Sequence, residues 1–405
     1  MMLRIFLLNP LTALLLALGM FFIICSNVHA LELSGNVTAE YRYFFESPVR
    51  DNLEKHNLSV AFEPKLYHLF ANSRDSISFI PFVRLDQNDP QRTHLDIREL
   101  KWQKVGGQWE LRIGIDKVFW GVTETVHLVN IINQVDMVEN PDEEDLLGQP
   151  MINLTLIQNW GNLNLFVLPA FRERTFPGRD GRPGSSVLIS NDKAVYESDA
   201  KQWHTDFAVR WSKTIGPWDI GISDFYGTSR EPRFDSSVFT LDSRGERELI
   251  PIYEITNQIG MDIQCTIGGW LLKLEAIHRS GQTDNFFASA TGFEYTFENI
   301  ALSGTDFGVF GEYLYDEREF KTMNRDIAAG VRLSFNDMQS TEVLAALIQD
   351  TKYSSRSYYL EASRRLGNSF KLAAEIRGVA NVDDRDPLVE FKADQYVQIS
   401  LGYYF

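Results

Sequence analysis

The chain has 405 residues, 13% of them aromatic, a net charge of −16 and two cysteines. Its 55 acidic residues outnumber 39 Lys and Arg, which excludes nucleic acid as a partner, because phosphate contacts need a basic surface. The length suits two or three soluble domains or one large barrel, so the residue pattern must decide.

Residues 1–30 read as a secretory signal peptide: Arg4 is the only charge, 11–25 is apolar, and Val28, His29 and Ala30 offer a small-residue cleavage site. The apolar run is too short for a membrane anchor, and Ile24 before Cys25 does not fit a lipoprotein site. Cleavage leaves 375 residues (405 less 30), a net charge of −17 once Arg4 is gone, and Cys265 as the sole cysteine. No internal disulfide can then form.

From residue 31 onward the pattern is one of short segments with alternating polarity. Leu31, Leu33, Val37, Ala39, Tyr41, Tyr43 and Phe45 share one parity; Glu32, Ser34, Asn36, Thr38, Glu40, Arg42 and Glu46 share the other. A strand sends alternate side chains to opposite faces, so each such segment has one apolar and one polar wall. The spans are 31–46, 57–70, 76–87, 93–104, 108–119, 151–160, 162–173, 202–213, 217–227, 248–266, 270–280, 286–298, 305–316, 325–336, 340–351, 356–366, 369–380 and 391–405. Short and long connections alternate between them. This is the sequence signature of a transmembrane, antiparallel, up-and-down all-β barrel of about 18 strands, with 16 as the alternative.

In the segment 93–104, Leu95 and Ile97 share one parity and Leu100 and Trp102 the other, which predicts a β-bulge near Arg98 and Glu99. Six tryptophans (Trp102, Trp109, Trp160, Trp211, Trp218 and Trp270) lie beside the short connections. Trp120 and Trp203 lie at the opposite ends. Trp favours a membrane interface, and a soluble sandwich would place some of them mid-strand.

The last segment carries Val397, Ile399, Leu401, Tyr403 and Phe405 on one parity, and the chain stops on that phenylalanine. It resembles the closing strand of Gram-negative outer-membrane β-barrels of the porin type. The resemblance implies that Leu401, Tyr403 and Phe405 form the signal read by the barrel-assembly machinery. It also implies an outer-membrane location, with membrane lipid and lipopolysaccharide as surroundings.

About eighteen strands leave a wide interior. The charges expected to face it include Arg42, Arg112, Asp116, Arg172, Arg210, Arg279, Arg332, Arg365 and Arg377, with Glu40, Arg84, Glu275 and Glu312 among the others. Opposed acidic and basic sides would set a field across the pore.

The segment 120–150 is the leading candidate for a constriction. Leu128, Ile131, Ile132 and Val135 have the spacing of one helix face, which predicts a short helix. That face needs burial, and folding into the lumen would supply it. Glu124, Asp136, Glu139, Asp142, Glu143, Glu144 and Asp145 would then line a constriction that favours cations.

The stretch 109–121 resembles a segment of proteobacterial barrels related to the alginate-export channel. Gly114, Trp120 and Gly121 match, but Ile115 and Asp116 stand where that group shows Arg and Gln. The acidic balance also departs from the basic lumen that transport of an anionic polymer implies.

No catalytic motif emerges. The histidines are scattered, there is no His-Glu-x-x-His run or Gly-x-Ser-x-Gly elbow, and no lipid-facing Ser stands out beside a His. Neither a metal site nor a cofactor is expected. The reading is a porin-like, non-enzymatic channel for small hydrophilic solutes. Export of a polysaccharide, or a structural or enzymatic barrel, are the alternatives. The sequence leaves the oligomeric state open.

Overall fold

The computed structural model describes residues 31–405 except 49, 51–52, 185–186, 243, 282–284 and 320. The expected signal peptide, 1–30, falls outside the described residues. Eighteen strands form one antiparallel sheet. In chain order they are β1 (Leu31–Phe44), β2 (His56–Leu69), β3 (Asp75–Asp86), β4 (His94–Val105), β5 (Trp109–Asp116) and β6 (Gln149–Gln158). Next come β7 (Gly161–Leu168), β8 (Asp206–Ile215), β9 (Trp218–Thr228), β10 (Ile255–Ile267), β11 (Trp270–Gly281) and β12 (Phe286–Phe297). The last six are β13 (Asp306–Asp316), β14 (Arg325–Ser334), β15 (Glu342–Asp350), β16 (Arg356–Leu366), β17 (Phe370–Ala380) and β18 (Tyr396–Tyr404).

Each strand pairs with its sequence neighbours, and β18 returns to β1 with Val37 opposite Tyr403 and Ala39 opposite Leu401. At the end of that seam Gly35 and Phe405 exchange both backbone hydrogen bonds at 3.1 Å. The sheet is thereby closed, as a strand-built membrane span requires.

Burial runs opposite to that of a soluble protein. Leu33, Tyr41, Leu58, Leu272, Val331, Leu347 and Leu401 are exposed on the outside, whereas Glu40, Arg42, Asp206 and Glu275 are buried inside. An aromatic girdle marks the short-turn rim: Trp270 packs on Tyr295 (4.7 Å between centroids), Tyr295 on Phe297 (4.7 Å) and Phe297 on Phe307 (6.2 Å). Trp120 departs from the expected interface position. It is buried in the lumen, where it packs on Phe166.

The predicted bulge is present. Ile80 faces Glu99 and Pro81 faces Ile97, so Arg98 is the extra residue. The neighbouring β2–β3 pairing is irregular at the same level. The β2–β3 ladder is interrupted between Phe62–Val83 and Leu66–Phe79, the stretch that holds Pro64 and Pro81, neither of which has an N–H to donate. The bulge shifts the parity of β4, so Asp96 before it, the bulged Arg98 and Lys101 after it all serve the lumen side.

Several strands stop short of their predicted ends. β5 ends at Asp116 rather than 119, β7 at Leu168 rather than 173, and β10 begins at Ile255 rather than 248. In each case the alternation continues, but the chain leaves the ladder to join an outer loop. The loops 169–205 and 229–254 pair with each other in short strands: Leu188–Ile189 with Arg247–Leu249, and Val195–Tyr196 with Ile252–Tyr253.

The two faces make opposite demands on a substituted cation. Leu401→Arg, on the outer face, is expected to lower unfolding stability in lipid vesicles by about 2–4 kcal/mol. Ser400→Arg, one residue away on the lumen wall, is expected to change it little. Urea titration of vesicle-inserted protein measures both, and equal losses would contradict the assigned faces.

Candidate functional site

The loop between β5 and β6, residues 117–148, folds into the barrel. Its apolar residues drive this. Val129, Ile131 and Ile132 are fully buried with Trp120 against Phe166, Leu168, Ala208, Phe225, Ile277, Phe286 and Ala288 on the inner wall. Burying such a side chain contributes about 1.5–3 kcal/mol, which outweighs leaving the segment loose in water.

The predicted helix is absent: no helical turn spans 128–135. The wall supplies the acceptors that a helix would have supplied internally. Glu275 on β11 accepts the N–H groups of Val122 (2.6 Å), Thr123 (3.0 Å) and Val129 (3.1 Å), and the Thr123 hydroxyl (2.8 Å). Glu312 on β13 accepts the N–H groups of Glu124 (2.7 Å) and Thr125 (2.9 Å). A backbone whose donors are taken by fixed carboxylates has no reason to coil, because burial only requires that each N–H be paired. Asn130 and Asn133 act likewise within the loop, accepting from Trp120 and Val118 at 2.8 Å. At the return to β6, Gly148 passes the bulge so closely that a Cβ would lie 2.6 Å from the carbonyl oxygens of Ile97 and Arg98.

The loop acids are matched to wall cations around the circumference. Arg332 on β14 holds Glu124 at 2.8 Å, and Arg98 on β4 holds Asp136 at 2.6 Å. Arg84 on β3 holds Glu139 at 2.6 Å, and Arg377 on β17 holds Asp142 at 2.9 Å. Glu143 reaches Arg174 at 3.3 Å and Glu144 reaches His127 at 2.8 Å, both at exposed positions. Asp145 is exposed and has no ion pair among the described residues.

The other expected lumen charges lie on the inner wall or in the loops over it. Arg42 donates to Gln398 at 2.8 Å, Asp116 meets Lys101 at 2.9 Å, and Arg112 lies 3.8 Å from Asp116. Arg210 pairs with Asp262 at 2.6 Å, and Arg279 with Glu231 at 3.2 Å. Arg172 sits beyond the end of β7, in a loop rather than a strand, and pairs with Asp96 at 2.8 Å. Arg365 lies on the inner face at the short-turn end and is exposed. Leu401, Tyr403 and Phe405 point outward.

Two cavities stand out among the described residues. The outer one, about 740 Å³, lies between the loop and the outer rim. The inner one, about 320 Å³, is lined by Arg332, Glu342, Lys371 and Glu375. Leu344 and Glu361 line both. The outer cavity carries eight carboxylates against six Lys and Arg.

Although its side chain keeps contact with solvent, Asp145 is crowded by the surrounding loop and wall, and this, with the nearby carboxylates of Glu139 and Asp142, pushes its carboxyl up to about 7. Burial opposes the charged form of His127, but the hydrogen bond to Glu144 overcomes it and raises its pKa. Burial likewise opposes ionisation of Glu231, yet Lys321, Arg318 and Arg279 hold it well below the carboxylate range.

His94, Asp136 and Glu139 bring ligand atoms within 4.8 Å of one another. Arg98 and Arg84 already neutralise both carboxylates, so this trio needs no metal ion. On the outer face, His278 and Ser280 share one side of β11, a pairing that the sequence pattern did not bring out. No hydrogen bond joins them among the described residues. Sequence reasoning also missed Arg92, which links Glu40 (2.6 Å) and Asp86 (2.9 Å), and the apolar inner patch that seats the loop. The signal for that patch was present: Phe166, Leu168, Phe225, Ile277 and Phe286 hold positions whose parity is polar elsewhere.

If Glu275 holds the loop, Glu275→Ala leaves three buried N–H groups without an acceptor. Hydrogen bonds to a charged group are worth about 1.5–3 kcal/mol. Amide exchange over 121–130 is therefore expected to speed up at least about tenfold while β1 and β18 stay protected. Unchanged exchange there would contradict the strapping.

No family model matches the chain, and no curated protein matches it. Among solved structures, a multiply substituted Rh. blastica porin is 11% identical over 93% of this chain and 100% of its own, with a TM-score of 0.47. A loop-L8 deletion mutant of OmpT, an outer membrane protein of Vibrio cholerae, is 8% identical over 93% of this chain and 99% of its own, with a TM-score of 0.46. Such likenesses are too distant to assign a function. The molecule's own geometry gives the fold: a closed cylinder of eighteen antiparallel strands, apolar outside and polar within, is the architecture of a membrane-spanning β-barrel.

Proposed function

We propose that this protein is a passive channel for small hydrophilic solutes across the outer membrane. The observation that carries this reading is that loop 117–148 narrows the lumen without filling it. Two cavities share Leu344 and Glu361, on β15 and β16, in their linings. A solute would pass beside the ion pairs Glu124–Arg332 and Asp142–Arg377, which tie the loop to the wall. A lining that carries charges of both signs favours a polar solute and rejects an apolar one.

The surplus of carboxylates in the outer cavity, with Glu143, Glu144 and Asp145 exposed, supports a weak preference for cations. Export of an anionic polymer fits less well, because it calls for a broad basic bore. During insertion, the outward Leu401, Tyr403 and Phe405 would be presented to the assembly machinery, and lipid and lipopolysaccharide would then surround the barrel.

Single-channel recording in planar bilayers is expected to show steady conductance with a modest preference for potassium over chloride. Correctly folded barrels that pass no current would end this reading. Replacing Glu143, Glu144 and Asp145 together by their amides is expected to reduce the preference and leave the barrel folded.

The preference is also expected to grow between about pH 5 and about pH 8, as Asp145 ionises and His127 loses its charge. The Asp145 carboxyl holds its proton more tightly in the folded state than in the unfolded one. Its contribution to stability is therefore complete below its unfolded value and is lost as pH rises through about 7. Asp145→Asn should flatten part of the pH response, measured as reversal potential in a salt gradient.

A further inference from the structure

We infer that two copies of this barrel associate side by side in the membrane through the outward face of β9–β11, where Asp224, Asn257, His278 and Ser280 form a polar patch. The backbone register sets them together. Asp224 on β9 lies opposite Ile259 on β10, and Ile259 lies opposite His278 on β11. In the next row outward along the strands, Tyr226 lies opposite Asn257, and Asn257 opposite Ser280. All four share the parity of the exposed Ile222, Ile259 and Leu272 of the same strands, so they face away from the lumen.

The patch stands at membrane level rather than above it. On β9, Asp224 lies between Trp218 and Tyr226, two exposed aromatic residues of the same face. It is six residues from Trp218. That is about 20 Å along the strand and about 15 Å along the membrane normal at the usual tilt, within an apolar band about 25 Å tall. The outward positions of β1–β7 are instead large and apolar, as Tyr41, Leu58, Phe62, Leu95, Ile113 and Leu165 show.

The chain does not satisfy this patch by itself. Asp224 accepts a hydrogen bond from the Asn257 amide at 2.8 Å and has no ion pair among the described residues. The His278 ring has neither a hydrogen bond nor an ion pair among them. Hydrocarbon offers such groups nothing, so ionisable side chains at this depth mark a site with a partner.

The patch is its own complement. Both copies insert the same way up, so a symmetric pair is related by a twofold axis along the membrane normal. An axis in front of Ile259 turns the β9 side of each copy toward the β11 side of the other. Each Asp224 carboxylate then faces the side that carries His278, while Asn257 and Ser280 supply neutral donors and acceptors. Polar groups join membrane segments best where small neighbours allow close approach, and Ala276, Ser289 and Thr291 beside the patch are small. This inference rests on the outward face meeting lipid, and not on what crosses the lumen.

The test uses the full-length mature barrel in lipid vesicles. In a Cys265→Ser background, Ile259→Cys, at the axis, is expected to form a disulfide-linked dimer on oxidation. Leu58→Cys, on the far side of the barrel, is expected to form none. Wild type carrying one fluorophore at its amino terminus is expected to bleach in two steps. The double variant Asp224→Leu/His278→Leu suits an isolated barrel in lipid and is expected to stay folded. It should dimerise at least about tenfold more weakly and lose the Ile259→Cys link. Absence of that link in the otherwise wild-type barrel would leave the patch to lipid headgroups and overturn the proposal. Bleaching in one step or three, equal linking from Leu58→Cys, or undiminished dimerisation of the double variant would overturn it as well.

Discussion

Hydrocarbon offers no partner to a backbone N–H or C=O, and this constraint governs the whole molecule. A sheet that crosses a membrane must pair every strand on both sides. The seam between β1 and β18 is therefore what makes the other strand pairings usable in lipid. Closure at eighteen strands also sets the problem that the interior solves, since such a ring is too wide for wall side chains to fill.

The interior solution is a loop held by the wall. Apolar residues of the loop sit on an apolar patch of β7, β8, β9, β11 and β12, which supplies most of the driving force. Carboxylates of Glu275 and Glu312 accept the loop amides and so take the place of regular secondary structure. Charged pairs then set its position from several sides at once: Glu124 on Arg332, Asp136 on Arg98, Glu139 on Arg84 and Asp142 on Arg377. Buried ion pairs are weak sources of net stability, but their directionality favours one placement of the loop over others. Open cavities persist in the lumen, two of which share Leu344 and Glu361 in their linings.

Much of the barrel was legible before any coordinates. The alternation in β1, the tryptophans beside the short turns and the parity break at Arg98 and Glu99 each reflect a local rule, and each is found in the structure. The helix predicted over Leu128 to Val135 was misread for a definite reason. Helical spacing reports which residues want burial, not how the intervening N–H groups will be paired. Here the acceptors came from β11 and β13, more than 140 residues away in sequence. Trp120 was misplaced for the same reason, because a residue at the end of a strand can turn to the lumen as readily as to the interface.

What the sequence by itself determined is the class of object: a barrel of about eighteen strands, which face of each meets lipid, and one long apolar loop in need of cover. These follow from period-two patterning and from apolar residues that need cover, both local properties of the chain. Only the tertiary structure decided which acid meets which arginine, which cavities persist, and which outward polar groups share one patch. Those outcomes depend on the register around a closed ring, which brings together residues such as Asp142 and Arg377, or Glu124 and Arg332, that no spacing in the chain relates.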